Sequence, residues 1–126
     1  MISGIGTDIT SISRIAGLIE KYGSRFLERV FSGEEIEKGR KLARPAAFFA
    51  GRFAAREAFL KALGTGIGPG ISLKQLSVLN NTSGKPEFNL SPQVQGILRS
   101  RNILNIHLSI THEGGLAQAV VVTEGE

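Results

Sequence analysis

The sequence predicts an α+β fold, a mostly antiparallel sheet with a long central helix. Three observations predict it. Residues 46–63 hold many apolar side chains and no breaker except Gly51, the longest helical run in the chain. Residues 104–111 alternate in period two, and after Glu113-Gly-Gly115 the strand pattern returns at 116–123, which reads as a hairpin. Strand and helix patterns do not alternate regularly, which argues against a doubly wound parallel sheet. At 126 residues the chain is expected to be a single domain, residues 1–126.

Each element has a local reason. Residues 2–9 read as a strand with Ile5, Thr7 and Ile9 on one face and Ile2, Gly4, Gly6 and Asp8 on the other. Ile12, Ile15, Leu18 and Ile19 form the apolar stripe of a helix over 12–22. Ser32-Gly-Glu-Glu35 is a capping box that opens a short helix to about Leu42. Pro45 suits the first turn of the long helix, and Gly64 is its natural stop. A glycine-rich loop follows over 64–72, then a strand over 73–79, a turn over 80–85 and a partner strand over 86–90. Ser91-Pro92 caps and starts a helix to about Ser100.

Composition removes several functions. There is no cysteine, so a disulfide scaffold, a thiolate zinc site and a cysteine nucleophile are out. His107 and His112 are the only histidines, too few for a multi-histidine cage. The net charge of +4 suits an acidic partner or a phosphate-bearing ligand. No signal-peptide pattern and no apolar run long enough to span a bilayer is visible, so a cytoplasmic protein without a membrane partner is expected.

Four places carry candidate chemistry. Asp8 ends an apolar strand on a face that Gly4 and Gly6 leave bare, so a ligand could approach there, or Asp8 could cap the next helix. Glu57 and Lys61 are spaced i, i+4 and read either as an exposed ion pair or as part of a site. Arg52 and Arg56 repel one another at the same spacing and suit an anion. The loop Gly64-Thr65-Gly66-Ile-Gly-Pro-Gly70 is neither a Walker loop nor a dinucleotide fingerprint. It follows a helix C-terminus, whose dipole repels phosphate, so phosphates there need Lys61 and a cation. Finally, His112 ends a strand on which Ser109 and Thr111 share the other face with His107.

Three blocks in order are more specific than any one of them. Gly4-Ile-Gly-Thr-Asp-Ile9, Phe53-Ala-Ala-Arg-Glu-Ala-Phe-Leu-Lys-Ala-Leu-Gly64 and Leu108-Ser-Ile-Thr-His112 resemble those of the holo-acyl-carrier-protein synthases. These are the small bacterial branch of the 4′-phosphopantetheinyl transferases. Gly84-Lys85-Pro86 and the last strand extend the resemblance to nearly the whole chain. It implies transfer of the 4′-phosphopantetheine arm of coenzyme A to a serine of an acyl carrier protein, with Mg²⁺, in fatty acid biosynthesis. It also implies a homotrimer with active sites at the subunit clefts.

Residue by residue, the resemblance puts the metal carboxylates on Asp8 and Glu57 and the helix lysine on Lys61. It puts the last motif's histidine on His112. Gly64 and the loop after it, Thr65 and Gly66 included, fall beside the pyrophosphate. Arg52, Arg56, Ser109 and Thr111 are taken as further coenzyme-binding candidates. Arg14, Arg25 and Arg29 match a basic helical region that meets the carrier protein. One departure is Arg56, where the family commonly has lysine; arginine neutralises phosphate but cannot serve as a base.

The two carboxylates and a substrate pyrophosphate suit Mg²⁺, which takes few protein ligands. The serine proton could pass to Glu57 or to a water held by Asp8 or the metal. An alternative is a basic nucleic-acid-binding domain without catalysis. Against it, no Lys/Arg block exists, tryptophan is absent and the phenylalanines cluster in an apolar helix, so no nucleic-acid partner is expected. Apolar residues on both faces of 116–122 leave more than one core needs and suit a subunit interface.

Overall fold

A computed structural model describes residues 1–64, 68 and 70–126. The chain runs β1 (Ile2–Ser11), α1 (Ile12–Tyr22), α2 (Ser24–Val30), α3 (Gly33–Arg40) and α4 (Pro45–Leu63). After a 3₁₀ turn at Leu73–Gln75 come β2 (Leu76–Asn80), β3 (Pro86–Leu90), α5 (Pro92–Ser100), β4 (Ile103–Glu113) and β5 (Leu116–Gly125). The strands form a three-stranded sheet in the order β1-β5-β4 and a separate β2-β3 pair, antiparallel at every pairing. This is the expected α+β architecture, with the sheet in two pieces.

Two elements differ from expectation. α2 is an addition: Gly23, at φ +55°, breaks the helical run after Tyr22, and Leu27 and Val30 then bury a second short helix. Residues 73–75 are a 3₁₀ turn instead of the start of β2. There Ser72 and Gln75 form a capping box, with the Ser72 amide donating to Gln75 Oε1 at 2.8 Å. Local side-chain bonds outcompete the ladder at that point.

α4 is buried on nearly all sides, so it shows no narrow apolar stripe. Ala54, Ala55, Ala58 and Ala62 face the three-stranded sheet with Leu108, Ala119 and Val121. Towards α1–α3, Phe48, Phe49 and Ala50 pack with Ile15, Leu27, Phe31 and Ile36. The bare glycine face of β1 serves this contact. A Cβ at Gly6 would stand 1.9 Å from the Ala58 carbonyl oxygen, and one at Gly4 2.0 Å from that of Ala62. The helix backbone fills the space that the sequence left open for a ligand.

The opposite face of the three-stranded sheet is uncovered. Register puts Ile5, Val122 and His107 in one row, Thr7, Val120 and Ser109 in the next, and Ile9, Gln118 and Thr111 in a third. Ile5 is 62% exposed and Ile9 60%.

Candidate active site

The close approach of β1 to α4 creates the site. Asp8 lies two residues beyond Gly6, and the Lys61 ammonium reaches across from the last turn of α4. Lys61 Nζ donates to the Thr7 carbonyl at 3.0 Å and to Asp8 Oδ1 at 3.3 Å. The other oxygen, Oδ2, accepts from the Thr10 hydroxyl at 2.8 Å. Glu57 sits one turn before Lys61, half-buried, and makes no hydrogen bond or ion pair among the described residues. The expected Glu57–Lys61 pair is therefore absent, because β1 offers the lysine a carboxylate and a carbonyl together. The Asp8 side chain is 16% exposed and that of Lys61 59%, so their pair is screened and weak, and the ammonium is free to leave.

Two carboxylates without a third acidic or histidine ligand form no complete protein cage for a metal, and no larger cluster exists among the described residues. That donor set fits Mg²⁺, a hard cation that keeps waters and takes the rest of its shell from substrate phosphates. Asp8 Oδ1 and the unpartnered Glu57 carboxylate are the oxygens on offer. Gly64 follows directly, in the left-handed conformation at φ +77°, and ends α4 as expected. Thr65 and Gly66 lie outside the described residues.

The two arginines of α4 part company. Arg52 is 7% exposed, donates to Asn80 Oδ1 at 2.8 Å and lies 4.2 Å over the Phe48 ring. Its Nε has no hydrogen-bond partner among the described residues. Burial pushes its guanidinium below the usual value; the Glu35 carboxylate opposes that shift and the Arg56 charge adds to it. A desolvated cation with one neutral acceptor is suited to an incoming anion. Arg56 corrects the expectation that it binds a phosphate. It is fully buried, and its guanidinium is bound by both Glu35 oxygens, the Leu73 carbonyl and the Arg52 carbonyl. Four of its five N–H donors are taken up in this way, and at 0% exposure the guanidinium is out of a ligand's reach.

His112 ends β4 on the α4 side of the sheet. A Cβ at Gly51 would come within 3.0 Å of its Nε2, so that glycine makes room for the imidazole on α4. The histidine shares a row with Thr10 two strands away, about 10 Å across the sheet. Among the described residues it makes no hydrogen bond or ion pair with either carboxylate. Ser109 and Thr111 project from the uncovered face, so within one chain they do not join Asp8.

Arg14, Arg25 and Arg29 are exposed on α1 and α2. Arg25 and Arg29 line a groove of about 350 Å³ with Leu18, Tyr22 and Phe26. Arg14 instead lies 5.8 Å over the Phe53 ring. The apolar members of the groove were missed from the sequence, although Tyr22 and Phe26 interleave with the basic residues. A roomier cleft of about 650 Å³, lined by Phe31, Ile36, Arg40, Lys41 and Lys74 among others, shares no residue with the Asp8 group. Volume is a poorer guide here than the convergence of charged side chains.

The family model of the 4′-phosphopantetheinyl transferase superfamily matches residues 4–121. The chain belongs to that superfamily. A holo-[acyl-carrier-protein] synthase of Nitrosospira multiformis is 46% identical over 124 residues, 98% of this chain and 99% of that protein. The crystal structure of the holo-[acyl-carrier-protein] synthase of Neisseria meningitidis superposes with a TM-score of 0.91 at 40% identity, over 98% of this chain and 99% of that one. The synthase of Helicobacter pylori, solved in complex with coenzyme A, superposes with a TM-score of 0.82 at 35% identity, over 95% of this chain and 99% of that one. The superfamily's α+β fold is thus the one seen here, and the nucleic-acid alternative finds no support.

Proposed function

We infer that this chain is a holo-acyl-carrier-protein synthase. It moves the 4′-phosphopantetheine arm of coenzyme A onto a serine of an acyl carrier protein and releases adenosine 3′,5′-bisphosphate. The observation that carries this reading is the Asp8–Lys61 contact across β1 and α4 with the unpartnered Glu57 beside it. The chain's relatives bear that activity in their names.

The serine oxygen attacks the phosphorus bearing the pantetheine arm. The new P–O bond replaces the bond to the bridging pyrophosphate oxygen, which leaves with the adenosine 3′,5′-bisphosphate. The serine proton goes to Glu57, whose carboxylate has no competing partner among the described residues, or to a water that Asp8 holds. Lys61 neutralises phosphate charge once it leaves Asp8. Asp8 and Glu57 would hold Mg²⁺, which supplies Lewis-acid neutralisation of the phosphates when bound. Arg52 is the buried cation for a further phosphate of the coenzyme.

The groove between α1 and α2, apolar at its base with Arg25 and Arg29 beside it, suits an acidic amphipathic helix of the carrier protein. Arg14 adds charge from α1. The uncovered sheet face supports the homotrimer. Ile5, Ile9 and Val122 there would be covered by neighbouring copies, and Ser109 and Thr111 would then reach a neighbour's coenzyme. Among the described residues no helix is long and apolar enough to cross a membrane; the proposed setting is fatty acid biosynthesis in the cytoplasm.

Mass spectrometry of an apo carrier protein incubated with the chain, coenzyme A and Mg²⁺ tests this. The added phosphopantetheine mass is expected, and its absence under active carrier conditions rejects the reading.

A further inference from the structure

We propose that Thr10 is a positioning residue for the Asp8 carboxylate, fixing which of its oxygens is offered to a divalent cation. The inference rests on the metal reading of Asp8 and Glu57 above. Thr10 is 3% exposed, and its hydroxyl lies 2.8 Å from Asp8 Oδ2. Alternation places both side chains on the same face of β1, the face pressed against α4.

The chemistry of this pair is directional. An ionised carboxylate only accepts, so the hydroxyl must donate, and its proton points at Oδ2. Thr10 is β-branched and buried, so few rotamers are open to it, and the donor is fixed in space. Holding Oδ2 sets the rotation of the whole carboxylate. Oδ1 then faces away from Thr10, towards Lys61 Nζ at 3.3 Å. The two oxygens thus have separate duties: Oδ2 is tethered inside the fold, and Oδ1 is presented to the cation side.

Without the hydroxyl, nothing described in the structure holds Oδ2. The carboxylate gains rotational freedom, and a cation must pay for fixing it. Outer hydrogen bonds of this kind typically change metal affinity by about 10- to 100-fold. A role in stability alone makes a different forecast, because it affects the fold and leaves the ligand affinity of the folded protein unchanged.

The test is calorimetric titration of Mn²⁺, a spectroscopically convenient divalent probe, into the full chain with saturating coenzyme A. Thr10→Val removes the hydroxyl and keeps the shape. Its Mn²⁺ affinity is expected to fall about 10-fold or more, while the metal-free melting temperature moves little. Thr10→Ser and Thr10→Ala differ by the hydroxyl alone and repeat the comparison where the valine variant folds poorly. Serine is expected to stay within a few-fold of wild type, and alanine to match valine. Binding by Thr10→Val as tight as wild type overturns the proposal, as does equal loss in the folded serine and alanine variants. A wild-type chain that binds no Mn²⁺ overturns the metal reading itself, and this one with it, whereas a wild type that binds and a valine variant that matches it overturn the positioning role alone.

Discussion

Arg56→Met should cost the fold far more than an ordinary substitution on a helix. Arg56 and Glu35 are both fully buried, and their contacts form one closed network. Glu35 Oε2 accepts from Arg56 Nη1 at 2.9 Å and from the Val78 amide at 3.1 Å. Oε1 accepts from Arg56 Nη2, from the Ser32 amide at 2.9 Å and from the Ser32 hydroxyl at 3.1 Å. Arg56 Nε donates to the Leu73 carbonyl at 2.9 Å, and the guanidinium carbon lies 4.8 Å over the Phe31 ring. Methionine fills much of the same volume but strands a buried carboxylate with three neutral donors. Breaking one side of such a pair costs about 3–5 kcal/mol. At about 3–5 °C per kcal/mol for a chain of this size, melting should fall by roughly 10–20 °C.

The cycle with Glu35→Gln isolates the charge pair. Each single variant leaves one buried charge, whereas the double variant leaves none. Its loss should therefore be smaller than the sum of the two by about 1–3 kcal/mol. Arg56→Lys keeps the charge, but one ammonium cannot reach both Glu35 and the Leu73 carbonyl, so an intermediate loss of about 1–2 kcal/mol is expected. Calorimetric or circular-dichroism melting of the five proteins is the assay. A drop below about 3 °C for Arg56→Met, or losses that simply add, would refute the reasoning.

Four further outcomes follow from the same geometry. Gly6→Ala puts a methyl carbon 1.9 Å from the Ala58 carbonyl oxygen, so α4 must move off β1; melting should show at least the roughly 1–3 kcal/mol of overpacking, and turnover should fall further than stability explains. Asp8→Asn and Glu57→Gln should each keep the fold and lower turnover about 10²–10³-fold, a loss of roughly 3–4 kcal/mol, and chelation of divalent cations should silence the wild type; full activity in both variants would contradict the site. Arg25→Glu should raise the KM for the carrier protein much more than that for coenzyme A, with added salt narrowing the gap in the wild type; equal effects on both substrates count against docking there. The hydrogen bond from His107, aided by its charge, holds the Glu124 carboxyl below the usual glutamate range. Glu124 then adds stability above the ordinary glutamate value that is lost as pH falls through its lower folded value; the melting difference between wild type and Glu124→Gln should vanish across that interval, and a constant difference would show another cause.

Strand and helix periods were legible because each follows from nearest neighbours. The capping box at Ser32, the proline at the start of α4 and the glycine at its end sit where local rules put them. α2 was not legible, since its seven residues are too few for a periodic stripe and only tertiary burial of Leu27 and Val30 holds it. Asp8, Glu57 and Lys61 could be singled out by type and spacing, but not the partner that Lys61 selects. That choice depends on β1 crossing α4 within backbone contact, a long-range fact. Arg56 shows the same limit more sharply. Its sequence neighbours suit an anion site, whereas its real partner, Glu35, lies 21 positions away and already had a local role in the capping box. The bare face of Gly4 and Gly6 was a true signal of close approach; only tertiary structure reveals that α4 is what approaches.

Consecutive residues of α4 divide the labour of the molecule. Successive side chains on a helix point about 100° apart. Arg56 therefore enters the network beneath α3 and β2, and Glu57 turns outward beside Lys61. Whatever fixes the rotation of α4 about its axis fixes the direction of Glu57. The Glu35–Arg56 clamp does this from one side, and the close packing on Gly4 and Gly6 does it from the other. The charge of the site follows from that placement. Asp8, Glu57 and Lys61 sum to a single negative charge, which repels a pyrophosphate and attracts a cation. With a divalent cation on the carboxylates the sum becomes a single positive charge, and the same pocket attracts phosphate. If Asp8 and Glu57 hold the cation as proposed, cation and coenzyme would favour each other's binding, and by linkage each would raise the other's affinity by the same factor. A third carboxylate in the protein shell would remove that reversal of sign, which is why a site with only two suits a phosphate-transferring enzyme.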